Sequence, residues 1–197
     1  MRGARFPEIS ISTQVLLSCD YTNEGCHGGS HYTILDWIQK NGVTDESCSP
    51  YLNRDYNDGL KCNEQSYCKD CNRNGDCWVP KNYHRYTVSD FGNIRSGDIE
   101  GIMREIQRGG PVICSVNNNP INMWKGSGVF ASDDRGPTTH AVAIVGWGVT
   151  ENGIPYWNMR NSFGEEYGDN GYIKIYRGND TIFIESYCTW VTVKDTW

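Results

Sequence analysis

The 197-residue chain has no long apolar run. Its longest hydrophobic stretches stop well short of the roughly 20 residues that a membrane-spanning helix needs. Positive charge is also sparse: 18 Lys and Arg against 24 Asp and Glu leave a net charge of −6. The basic residues are scattered, with no stripe interleaved with aromatics, so the electrostatic footprint of phosphate-backbone binding is missing. Membrane insertion and nucleic-acid binding are therefore excluded as expectations. There is no internal repeat, no low-complexity tract and, in "MRGARFPE", no apolar leader core. A composition of 38% hydrophobic and 12% aromatic residues is that of an ordinary globular protein.

Cysteine is abundant. Nine residues, at 19, 26, 48, 62, 68, 71, 77, 114 and 188, imply a disulfide framework formed in an oxidising compartment, extracellular or a lysosome-like vesicle. The odd count leaves one thiol over. "NDT" at 179 to 181 is a glycosylation acceptor sequon in keeping with a secretory route.

"SHYTILDWIQKNG" predicts a helix, with Ser30 as N-cap, Ile34, Leu35 and Ile38 at helical spacing, and Gly42 as the stop. Residues 48 to about 81 show neither helical nor strand periodicity and read as stapled loops. "SGDIEGIMREIQRGGP" predicts a second helix, with Ile99, Ile102, Met103 and Ile106 on one face. Thereafter "VICSV", "HAVAIVGWG", "PYWNMRNS", "GYIKIYR" and "YCTWVTV" are strand-like and separated by Gly, Asn and Asp turns, so the C-terminal half reads as a β-sheet or barrel. A boundary falls near residues 82 to 90. The run Ala141 to Trp147 is expected to be buried on both faces.

His140 opens that run. A histidine working as base or imidazolium needs a partner that fixes its tautomer, and Asn161, just after a strand, can do so without adding charge. A structural histidine capping a strand and an asparagine in a turn fit the same spacing. Gly28 and Gly29 lack Cβ atoms and so allow an extended peptide to approach closely, or simply make a tight turn before the helix. Cys62, Cys68, Cys71 and Cys77 could hold a zinc ion, but only one short C-x-x-C knuckle is present, and disulfides are the expectation.

"SCDYTNEGCHGG", "THAVAIVGWG" and "YWNMRNSFGEEYGDNGYIKI", in this order and over essentially the whole chain, resemble the papain family of cysteine peptidases. From "WIQKNGVTDESCSPY" to "NYHRYTVSDFG" the chain is most similar to a lysosomal carboxypeptidase branch of that family. The resemblance implies an α+β, papain-like two-domain fold. A helical left domain, incomplete here and rich in Cys loops, takes residues 1–85, and an antiparallel β-barrel right domain takes 86–197, with the active site in the cleft between them. It implies peptide-bond hydrolysis through an acyl-thioester, a peptide or protein substrate, and no cofactor or metal. His140 matches the family's histidine and Asn161 its asparagine, while Gly28 and Gly29 match the glycine pair that binds substrate backbone. Phe163 and Tyr167 stand where the family usually has tryptophans beside the cleft.

None of the nine cysteines lies in the family's Cys-Gly-Ser-Cys-like nucleophile context. The family pattern pairs Cys19 with Cys48 and pairs Cys26 with a cysteine three residues before the nucleophile. Cys26 is therefore the candidate unpaired thiol, and Cys114 with Cys188 would tie the sheet to its last strand. The expectation is an N-terminally incomplete peptidase chain, inactive by itself, whose missing segment is a partner in the same or a separate chain. The competing expectation is a nucleophile-less relative that binds peptides without cutting them.

Overall fold

The computed structural model describes residues 9–52 and 61–194. The chain forms two compact units, one running up to Asp90 and taking in the stretch from Thr192 on, the other comprising Phe91–Val191.

The first unit begins with α1 (Thr13–Cys19), a helix absent from the sequence expectation because its seven residues span barely two turns. Ser12 caps it by accepting from the Val15 N–H, and the Ser12 hydroxyl donates to the Ser49 carbonyl at 2.6 Å. Helix α2 (His31–Asn41) begins and ends where its caps predict: the Ser30 hydroxyl accepts from Tyr32 N–H, and Gly42 leaves the helix at φ +72°. Inside the predicted loop region lie a single helical turn, α3 (Glu64–Tyr67), and a two-stranded hairpin of β1 (Asp70–Cys71) and β2 (Cys77–Trp78). The buried cluster in this unit is small: Val15, Cys19, Trp37 and Val43, with Leu16, Ile38, Cys62 and Tyr67 against it.

Disulfides supplement that cluster. Cys19 is bonded to Cys62, Cys48 to Cys68 and Cys71 to Cys77. The Cys19–Cys48 pairing expected from the family pattern is thus incorrect. Cys19 closes α1 against Cys62, with Cα atoms 4.8 Å apart. Cys48 sits in a turn organised by Asp45, whose carboxylate accepts from the Ser47 and Cys48 N–H groups, and this turn faces Cys68 at the end of α3. All four cysteines considered for zinc are in these bridges.

The second unit packs α4 (Ile99–Gly109) on a sheet. Asp98 caps α4 by accepting from the Gly101 N–H at 2.8 Å, and Ile102 is fully buried. The strands are β3 (Val88–Asn93), β4 (Val112–Val116), β5 (Val129–Phe130), β6 (His140–Val149), β7 (Pro155–Arg160), β8 (Tyr172–Tyr176) and β9 (Cys188–Val193), and the short helix α5 (Asn119–Asn122) follows β4. Their order in the sheet is β3-β9-β4-β6-β7-β8-β5. The sheet is not closed into the expected barrel; β3 and the short β5 are its edges. β5 pairs with β8 in parallel.

β6 is buried on one face, not two. Val142 and Ile144 point into the core, Ala141 is exposed, and a bulge between Ile144 and Gly146 resets the alternation so that Trp147 turns back toward the core. One extra residue makes a half-buried strand look apolar throughout. Val112, Val116, Ile144, Trp157, Met159, Ile175, Ile182 and Ile184 are fully enclosed. Cys114 and Cys188 face each other across β4 and β9 and are bonded.

Loop closure separates the disulfides in worth. The Cys114–Cys188 bridge spans 74 residues and Cys71–Cys77 only 6. Replacing the first pair by serine should cost about 4 kcal/mol and the second about 2 kcal/mol, read from urea unfolding of the two double variants. A second expectation concerns His31, whose imidazole burial holds below its usual pKa of 6.5. The unfolded chain binds that proton more readily, so the contribution is fully present above the unfolded pKa and is lost as the pH falls below it. His31→Asn should flatten this acid-side decline, measured as urea midpoints from about pH 7 down to about pH 5.

Candidate active site

His140 is the first residue of β6 and lies opposite Val116 of β4, while Asn161 directly follows β7. Because β6 and β7 run antiparallel with Ala143 opposite Arg160, the start of one strand and the end of the next share an edge. Two residues 21 apart in sequence are thereby within hydrogen-bond reach: His140 Nε2 and Asn161 Oδ1 are 2.8 Å apart.

A third group fixes the roles. The Ser162 backbone N–H donates to the same Asn161 Oδ1 at 2.8 Å. A backbone donor demands an acceptor, so the atom facing the ring is the amide oxygen, and Nε2 must carry the proton. The neutral ring then presents a bare Nδ1, and protonation at Nδ1 makes an imidazolium whose Nε2–H is already held. Asn161 is 8% exposed, and its backbone N–H donates to the Gly171 carbonyl at 2.9 Å, which anchors the main chain that carries the amide.

Aromatic rings enclose this pair. Phe163 stacks on His140 with centroids 5.1 Å apart and planes 27° from parallel, and Tyr167 meets Phe163 edge-on at 5.0 Å. The Tyr167 hydroxyl donates to the Ile121 carbonyl in α5. Burial pushes the Tyr167 phenol up. Phe163 is 39% exposed, an exposure its stacking role accounts for. The loop that carries these rings depends on Gly168 at φ +60°, where a Cβ would sit 2.2 Å from the Tyr172 carbonyl oxygen.

The structure thus joins His140, Asn161, Phe163 and Tyr167 in one cluster. Sequence reasoning missed two of its contacts, the Ser162 N–H and the Ile121 carbonyl, since main-chain groups leave no residue-type signal. Gly28 and Gly29 lie in the first unit between the 3-10 turn Gly25–His27, which holds the half-buried Cys26, and α2. At Gly29 a Cβ would collide with Asn23 Oδ1 at 2.6 Å; that oxygen accepts from the Ser30 N–H and the Thr33 hydroxyl, so glycine is required by the local hydrogen-bond hub. Gly28, at φ +134°, faces open space.

The fold has counterparts among known proteins. The chain is 29% identical to cathepsin Z of Onchocerca volvulus over 96% of its own length and 62% of that protein. It is 34% identical to the oryzain gamma chain of Oryza sativa subsp. japonica, over 87% of this chain and 44% of the relative. It therefore spans about half the length of the curated relatives it matches. Among solved structures, procathepsin L 3 of Tenebrio molitor superposes with a TM-score of 0.75 at 25% identity, over 93% of this chain and 56% of that one. Bromelain of Ananas comosus matches in fold with a TM-score of 0.74 at 24% identity, over 97% and 81%. The profile described as "Papain family cysteine protease" matches residues 3–192, and the chain belongs to that family.

Proposed function

We propose that the protein carrying this chain is a cysteine-type peptidase in which His140 and Asn161 are the base and its orienting partner. The observation that supports it is the Asn161 oxygen held between Ser162 N–H and His140 Nε2, which leaves Nδ1 as the ring atom able to take a proton from a thiol. In the family the thiol lies in a Cys-Gly-Ser-Cys-like motif, and none of the nine cysteines of these 197 residues stands in that context.

In that chemistry the thiol proton passes to Nδ1, and the resulting imidazolium keeps the sulfur ionised. The thiolate attacks the peptide carbonyl carbon. As the tetrahedral adduct collapses, His140 returns the proton to the leaving amine, and an acyl-thioester remains. Water, deprotonated by the now neutral His140, then releases the acid and restores the thiol. Throughout, the Nε2–H keeps its hydrogen bond to the Asn161 oxygen. Phe163 limits water access to that bond, which strengthens it. Gly28, with no side chain on its open face, leaves room for substrate backbone to pair.

The finer reading is a cathepsin X-like (cathepsin Z-like) carboxypeptidase working in a lysosome-like or extracellular compartment. It is supported by similarity to cathepsin Z along 96% of the chain and by the density of disulfides.

A thiol-directed epoxide should label the protein isolated from its source at one cysteine. Absence of labelling in the folded protein would instead indicate a peptide-binding relative that has lost its nucleophile. His140→Ala should lower kcat/KM by roughly 10²- to 10⁴-fold, and Asn161→Ala by less, because the ring remains and only its orientation is lost. Peptides with free and with amidated C-termini separate the finer reading: a carboxypeptidase cuts only the free form.

A further inference from the structure

Thr181 is fully buried, yet its hydroxyl has no hydrogen-bond partner. A buried unpartnered hydroxyl opposes folding, and valine would fill the same space without that penalty. The fold therefore does not explain why residue 181 is a threonine.

Two residues earlier, Asn179 shows the opposite behaviour. It is exposed, and its side-chain amide forms no hydrogen bond among the described residues. Its backbone is nonetheless held firmly. Arg135 donates to the Asn179 carbonyl at 3.1 Å and to the Asp180 carbonyl at 2.6 Å, and Gly178 and Asp180, at φ +105° and +45°, form a sharp turn on either side of it. The result is a free amide on a rigid, exposed corner.

We infer that Asn179 carries an N-linked glycan. Asn179-Asp180-Thr181 has the acceptor pattern N-x-T, in which the hydroxyl two residues on is read while the chain is still extended. That early use accounts for a hydroxyl that serves nothing once folded. Four disulfides place the chain in the oxidising compartment where this transfer takes place. The donor is a lipid-linked oligosaccharide diphosphate. Asn179 Nδ2 forms a bond to the anomeric carbon, the bond from that carbon to the diphosphate oxygen breaks, and the amide proton is lost to the diphosphate and solvent.

The corner also suits a bulky group. Asn179 follows the C-terminal end of β8, whereas Asn161 sits by its N-terminal end, where Arg160 lies opposite Tyr172. Five residues of strand, about 17 Å, separate the two ends, so the attachment point lies well away from His140 and Asn161.

The test is the mass of the 179-containing peptide in protein from its source, before and after an amidase that removes N-linked glycans. Loss of the sugar mass with conversion of Asn179 to Asp is expected; an unmodified Asn179 would overturn the proposal. In a secretory expression host, Asn179→Gln and Thr181→Val should both abolish the modification, and Thr181→Ser should retain it. Thr181→Val should melt at the same temperature or higher than the enzymatically deglycosylated parent. A clear drop would show that the hydroxyl serves the fold and would remove the basis of the inference.

Discussion

The C-terminal unit is organised around one buried carboxylate. Glu185 is 3% exposed and accepts three hydrogen bonds, from Trp157 Nε1 at 2.8 Å, Gly178 N–H at 2.7 Å and Asp180 N–H at 2.9 Å. A charge so far from water is tolerable only when its lone pairs are met in this way. Asp180 returns the favour by accepting from the Glu185 N–H and the Ser186 hydroxyl, so the turn after β8 is clasped from both sides. Trp157 is thereby fixed in orientation, Trp157 fixes β7 in the core, and the end of β7 is where Asn161 emerges. The geometry of the His140–Asn161 pair is in this sense decided well away from it.

The two units reach stability by different means. The second buries a continuous set of side chains between α4 and the sheet, and a single disulfide ties its strands. The first has, among the described residues, a buried cluster of only four side chains, together with three disulfides. A small apolar cluster contributes too little to offset chain entropy alone, and covalent closure of the unfolded chain makes up the difference.

Much of this was legible in the sequence, and what was not has physical reasons. Ser30 with Gly42 and the apolar spacing of Ile99 to Ile106 marked α2 and α4, because capping and periodicity are local. The His140–Asn161 juxtaposition was one of two readings of their spacing and was implied by the family resemblance; the antiparallel pairing of β6 with β7 brings it about. The bulge at Val145 was not legible: it hides the alternation that would have shown β6 to have one wet face. Cys114 with Cys188 was legible, but the pairing within the first unit was not. Cys48 finds Cys68 because Asp45 folds the turn that ends in Cys48, a contact that spacing does not encode. Glu185 left no signal, because the same residue on a surface would read identically.

The β1–β2 hairpin differs from everything else in the molecule. Between Cys71 and Cys77 the Asn72 side chain accepts from the Asn74 and Asp76 N–H groups and donates to the Asp76 carboxylate, and the Asn72 N–H and carbonyl bond to Asp76 and Gly75. Its tip thus takes its shape from within seven residues, with the bridge as a clamp. The segment behaves as a cassette: a synthetic peptide cyclised at the same cysteines would hold the same turn, and a foreign sequence set between those cysteines would disturb little beyond them. Change is cheapest where the chain has closed on itself.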